Sequence, residues 1–265
     1  MKPDRRQVLR AAAAAAVAGV VPSAQARPRH PVATPAQTAG PFHPSAALLA
    51  RRVGAALDHD LTRVGDRRAD GLRIALHGVV RDVAGTPLPK ARVEIWQTCH
   101  RGRYLHAGDD FGSEIPQDPG FAYWGVDTTD DAGAYALLTV MPRRYPSGGQ
   151  REWWRPPHVH LRVRVDGATR LTTQLYFDDP TDPDNDWRHQ AVQAEDRILG
   201  GVPGPRRGEL VVGLRPVGED GFEPAGLERA IDEHDRVWGM PRLGRFDPIV
   251  HPPGIDWGRE DRERD

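Results

Sequence analysis

HVHLRVRVD (158–166) and RLTTQLYF (170–177) are the stretches whose reading decides the fold. The first alternates apolar and polar residues and both are rich in β-branched side chains, which marks extended strands. Four more runs read the same way: LRIALHGVVR (72–81), ARVEIWQT (91–98), GAYALLTV (133–140) and ELVVGLR (209–215), each bounded by Gly, Pro or Asp. DVAGTPLP (82–89) and DDAG (130–133) supply turn chemistry between them. Short strands at this spacing predict an all-β, antiparallel β-sandwich with peripheral loops. A short helix is expected near the C-terminal end, where Leu227, Ile231, His234 and Trp238 fall on one face that packs outside the sheets.

A chain of 265 residues that is 38% hydrophobic can bury one substantial core, so residues 72–265 are read as a single sandwich domain with a C-terminal extension. Residues 27–71 are read as an extended N-terminal arm, Pro-rich over 27–44. Residues 1–26 have the form of a twin-arginine export signal: Arg5-Arg6, an Ala-rich run from Ala11 to Val21 too short to span a bilayer, and a small-x-small site at Ala24-Gln25-Ala26. Export to the periplasm or beyond is therefore expected, with no membrane span after processing. Leaving out those residues, which hold four basic side chains and one acidic, leaves 32 basic against 36 acidic and a formal charge of −4. Such a balance gives no sign of a nucleic-acid partner. Cys99 is the only cysteine, which excludes an intrachain disulfide and reads as a small buried thiol.

His158 and His160, two apart in a strand, present both imidazoles to one face with Val159 turned away. Taken alone, this spacing is more often an ordinary polar face. WRPP before it stiffens the approach and holds Arg155 beside the pair. Tyr145 lies thirteen residues upstream of His158, and Tyr104 stands in GRYLH. A phenol, with an unperturbed pKa of about 10, ionises at neutral pH only beside a strong Lewis acid. Two phenolates and one hydroxide balance the charge of Fe(III), whereas zinc would leave the set anionic. No CxxC, HExxH or GxGxxG occurs. A carboxylate ligand completing a two-His ferrous set stays open.

TPAQTAGPFHP (34–44), GVVRDVAGTPLPKARVEIWQTCHRGRYLH (78–106), TTDDAGAYALLTVMPRRYP (128–146), WWRPPHVHLRV (153–163) and RLTTQLYF (170–177) together resemble the intradiol ring-cleavage dioxygenases, most closely the protocatechuate 3,4-dioxygenase type. The resemblance implies one Fe(III) per chain held by Tyr104, Tyr145, His158 and His160. It implies cleavage of a catechol-type diol with O2 to a cis,cis-muconate, Tyr145 being the axial ligand that leaves to take a substrate proton. Arg155 is implied as the charge that stabilises the anionic ring, Gln174 as a pocket residue bonding oxygen or Arg155, and Trp96 as a pocket wall. It also implies that the N-terminal arm packs near the active site.

Where protocatechuate enzymes usually read Tyr-Pro-Trp, Pro146 here is followed by Ser147, which predicts a wider pocket. Arg103, Arg143 and Arg144 are candidates to meet a substrate carboxylate. Protocatechuate enzymes pair an iron-binding chain with a related non-binding one, so the resemblance implies that this chain self-associates or takes a related subunit. Two rival readings are a zinc or copper enzyme using only the histidines, and an exported β-sandwich that binds aromatics without catalysis. Tyr135 and Tyr176 are read as core residues, and Tyr123 is left open.

Overall fold

The computed structural model describes residues 33–53, 58–109, 114–146, 154–177, 210–212, 214–216 and 241–254. In chain order these form α1 (Ala46–Val53), β1 (Arg63–Val64), β2 (Arg67–Arg68), β3 (Arg73–Val79), β4 (Arg92–Gln97), β5 (Trp124–Thr128), β6 (Ala134–Val140), β7 (Tyr145–Pro146), β8 (Trp154–Arg155), β9 (His158–Val165), β10 (Ala168–Phe177), β11 (Val211–Val212), β12 (Leu214–Pro216) and β13 (Arg242–Arg245). A five-stranded sheet runs in the order β11-β10-β9-β4-β5 and a four-stranded sheet in the order β12-β13-β3-β6, as expected for a β-sandwich. Pairing is antiparallel except for β10 with β11 and β13 with β3, which are parallel.

Alternation along the strands decides what each face carries. Val159, Leu161 and Val163 of β9, with Val93 and Ile95 of β4 and Leu171 and Leu175 of β10, share one buried cluster with Ile74, Leu76 and Leu137 of the second sheet. Each such side chain contributes roughly 1.5–3 kcal/mol by leaving water. Leu161→Ala, at the centre of the five-stranded sheet, would cost about 2–5 kcal/mol. Alternate positions on the same strands point the other way and carry polar groups: His158, His160 and Arg162 on β9, Glu94 and Trp96 on β4, Gln174 and Tyr176 on β10. The polar face is nonetheless buried at all seven positions.

The N-terminal arm supplies part of that cover. Gln37 N donates to Thr172 O, and Thr173 Oγ1 donates to Pro35 O. The arm is extended only in its first described part. Ser45 caps α1, its hydroxyl accepting from Leu48 N and its carbonyl from Leu49 N, and Arg51 and Arg52 occupy the last turn. The stretch read as an extended arm over 27–71 thus contains a short helix and the β1–β2 ladder, because a Ser cap followed by AALLARRV is a helix start and basic stop.

Strands expected at 72–81, 91–98, 133–140, 158–166 and 170–177 correspond to β3, β4, β6, β9 and β10. The run 209–215 is not one strand: β11 joins the first sheet and β12 the second, so the chain changes sheets within it. The expected helix through Leu227 and Trp238 lies outside the described residues, as do residues 1–26. No described helix is long and apolar enough to cross a membrane.

Candidate metal centre

Four donors reach one point from three parts of the chain. His158 and His160 stand at the start of β9, their ring centroids 4.9 Å apart. Tyr104 follows β4 on a loop closed by Cys99 N to Arg103 O, and its hydroxyl lies 3.3 Å from His158 Nε2 and 3.2 Å from His160 Nε2. Tyr145 opens β7, its ring edge-on to Tyr104 at 5.1 Å and 5.6 Å from the His158 ring. The two tyrosine loops touch at Gly102, whose φ of +86° suits glycine; a Cβ there would lie 2.6 Å from Arg144 O. Asp109, fully buried, accepts a hydrogen bond from Tyr104 N at 2.7 Å and so holds the first loop.

Burial sets the protonation of all four. It raises the Tyr104 phenol well above its ordinary value, with Tyr145 adding to the rise and Arg155 opposing it. Burial likewise raises Tyr145, again against Arg155. Both imidazoles are pushed well below 6.5, first by burial and then, for His158, by Arg155 and, for His160, by His158. Without a cation the centre is therefore two phenols and two neutral imidazoles.

The donor set fits a hard, highly charged metal ion. His158 Nδ1 donates to Pro156 O at 2.7 Å, which fixes the tautomer and leaves the Nε2 lone pair facing Tyr104. The single hydroxyl hydrogen of Tyr104 can serve only one of the two nearby Nε2 atoms. His160 Nδ1 is buried with no hydrogen-bond partner, so either tautomer of that ring leaves a polar atom unsatisfied. A cation among the two Nε2 atoms and two phenol oxygens removes the competition, and phenolate donors select one as acidic as Fe(III).

Arg155 closes β8 as the register partner of Tyr145. It is buried, yet its pKa is raised above the ordinary arginine value: burial lowers it, and Tyr145, Tyr176 and Tyr104 raise it by more, so the guanidinium stays charged as arginine ordinarily does. Its Nη2 donates to Gln174 Oε1, and Gln174 Nε2 donates to Thr38 O at 3.0 Å. Gln174 is thus a buried link between Arg155 and the arm. Trp96, expected as a pocket wall, is wholly buried and stacked on His160, centroids 4.9 Å apart and planes 6° from parallel. Ser147 lies outside the described residues.

Of the candidate carboxylate partners, Arg103 sits 3.6 Å from the Asp109 carboxylate, Arg144 lies over Trp154 at 5.1 Å, and Arg143 is exposed. Tyr135 is a core residue whose hydroxyl donates to Phe246 O. Tyr176 is buried in the core, as read, and also borders the site: it is opposite His158 in the ladder and its hydroxyl donates to Gln37 Oε1 at 3.1 Å. Parity with Gln174 was the signal for it. The open Tyr123 proves structural, its hydroxyl accepting from Asp118 N. Phe42, 5.1 Å from the Tyr104 ring and 6.1 Å from Tyr145, also covers the centre from the arm. A second group of donors, Asp70, His100 and Asp118, is accounted for by the turns it braces: Asp118 accepts from Asp70 N and Gly120 N, and Asp70 pairs with Arg101.

A family model described as Dioxygenase matches residues 46–200, more than half of the chain. The beta chain of protocatechuate 3,4-dioxygenase from Burkholderia cepacia is 38% identical over 158 residues, 58% of this chain and 62% of that one. Catechol 1,2-dioxygenase from Acinetobacter baylyi is 34% identical over 117 residues, 40% of this chain and 36% of its own length. The matched stretch thus spans less than two thirds of either relative. Among solved structures, a mutant catechol 1,2-dioxygenase from Acinetobacter radioresistens shares the fold with a TM-score of 0.54 at 21% identity, over 85% of this chain and 65% of that one. So does 3-chlorocatechol 1,2-dioxygenase from Rhodococcus opacus, with a TM-score of 0.51 at 19% identity over 83% and 73%.

Proposed function

Since this chain belongs to the intradiol ring-cleavage dioxygenase family, we propose that it is a non-haem ferric dioxygenase. Its substrate is a catechol-type diol such as protocatechuate or catechol, opened between the two hydroxylated carbons with O2 to a cis,cis-muconate. The observation that carries the reading is the convergence of Tyr104 Oη on His158 Nε2 and His160 Nε2 with Tyr145 edge-on beside them.

Tyr104, Tyr145, His158 and His160 would hold the iron, which when bound supplies the Lewis acidity that ionises phenols and diol and lets a spin-paired ring react with O2. Tyr145, ionised while it serves as a ligand, would take a substrate hydroxyl proton on its Oη, since burial raises its pKa and favours the phenol that results. Arg155 places a fixed positive charge where the ring becomes anionic, in a site too dry to screen it. Gln174 keeps that guanidinium from turning away. Phe42 and the arm exclude water and give the diol an apolar surface.

The twin arginine at Arg5-Arg6 and the small-x-small site ending at Ala26 support export of the folded, metal-loaded chain. A homo-oligomer or a pairing with a related chain is proposed as the assembled form. The test of function is oxygen uptake with protocatechuate and with catechol, followed by mass analysis of products made under isotopically labelled O2. Both atoms of one O2 should appear in a muconate. Label in neither product, or uptake only with an added reductant, refutes the reading.

A further inference from the structure

His158 and His160 face the same centre but are held in different ways. His158 is fixed through its second nitrogen by Pro156 O, the usual means by which a metal-binding imidazole has its ring angle set. His160 lacks that bond, its Nδ1 being buried without a partner. Against its ring lies Trp96 instead, the residue opposite it in the β4–β9 ladder, almost parallel at 4.9 Å.

The indole is itself confined. Arg162, two residues after His160 on the same face of β9, has its guanidinium carbon 5.0 Å from the centre of the Trp96 ring. Arg162 is buried and stands opposite buried Glu94 in the ladder. His43 of the arm meets the indole edge-on at 4.8 Å. A side chain packed on these sides at interior density has little freedom to turn. An imidazole has two torsions, and a flat stack restrains the tilt that both produce. Within the ring plane, the direction of Nε2 then follows from covalent attachment.

We infer that Trp96, confined by Arg162, is a positioning residue for His160, the stack serving in place of the missing hydrogen bond at Nδ1. The effect on iron rests on the ferric reading, whereas the ring geometry can be read without metal. In the full-length metal-free protein with isotopically labelled histidine, the His160 ring protons should be displaced by the indole ring current. The displacement should vanish in Trp96→Leu. Competition with a chelator should show ferric affinity about 10- to 100-fold weaker in Trp96→Leu. Trp96→Phe, which keeps a flat ring, should recover most of that loss, and Arg162→Met should fall between.

Unchanged affinity in Trp96→Leu overturns the inference, as does Trp96→Phe binding no better than the leucine variant. Should the variants fail to fold, the unmodified protein decides alone: undisplaced His160 ring protons refute the stack. A wild-type chain that shows the displacement but takes up no Fe(III) refutes the ferric reading and leaves the stacked geometry standing.

Discussion

Arg155 and Gln174 are joined by a buried hydrogen bond from guanidinium Nη2 to amide Oε1, and the other end of the amide is tied to Thr38 O of the arm. Both amide ends are thereby assigned, so the glutamine cannot flip without losing two bonds. The charge beside the phenols is thus set by a strand residue and by a segment more than a hundred residues away in sequence.

Arg155→Ala should retain iron and its colour while turnover falls by about 10²- to 10³-fold, the usual cost of removing one preorganised charge or donor from a dry site. Gln174→Leu should give a smaller loss in kcat with iron content unchanged. Single-turnover kinetics on iron-loaded protein checks both.

Tyr104→Phe and His158→Ala each delete a donor, and both should lose bound iron or its visible band. Metal analysis after dialysis reads this directly. Full activity retained in either variant would end the assignment.

Gly40 has φ +72°, and a Cβ there would lie 3.2 Å from His160 Cε1. Gly40→Ala should therefore cost roughly 1–2 kcal/mol for the left-handed backbone and also disturb His160. The expected result is a lower denaturant midpoint together with weaker iron binding.

His77, outside the metal centre, is lowered to about 4, chiefly by burial and then by Arg245, with Asp247 opposing. Its folded value is below its unfolded one, so the unfolded chain binds the extra proton. The stability His77 contributes is complete above about pH 6.5 and is lost as pH falls toward 4. In urea titrations across that window, His77→Gln should flatten the pH dependence by at most about 1.4 kcal/mol per pH unit.

Strand parity made the histidine pair and the strands bearing it legible, because His158 and His160 can share a face only if β9 is extended. The same parity reaches Gln174 and Tyr176, and Tyr176 is core as read; its place beside His158 was not legible because a buried tyrosine in an apolar strand reads alike on either face. Trp96 was placed near the site, yet its contact with His160 depends on the register between β4 and β9, which no local pattern specifies. Asp109 was invisible for a similar reason: it accepts from a backbone N–H five residues back, in a loop without periodicity. The helix after Ser45 was missed because the Pro-rich run before it suggested continued extension.

The most direct measurement is the iron content and visible spectrum of the purified protein, before and after adding catechol or protocatechuate without oxygen. A ferric centre held by Tyr104, Tyr145, His158 and His160 would give about one iron per chain and a wine-red tyrosinate band that shifts when the diol binds. A colourless protein that remains iron-free and inert after reconstitution with iron would contradict it.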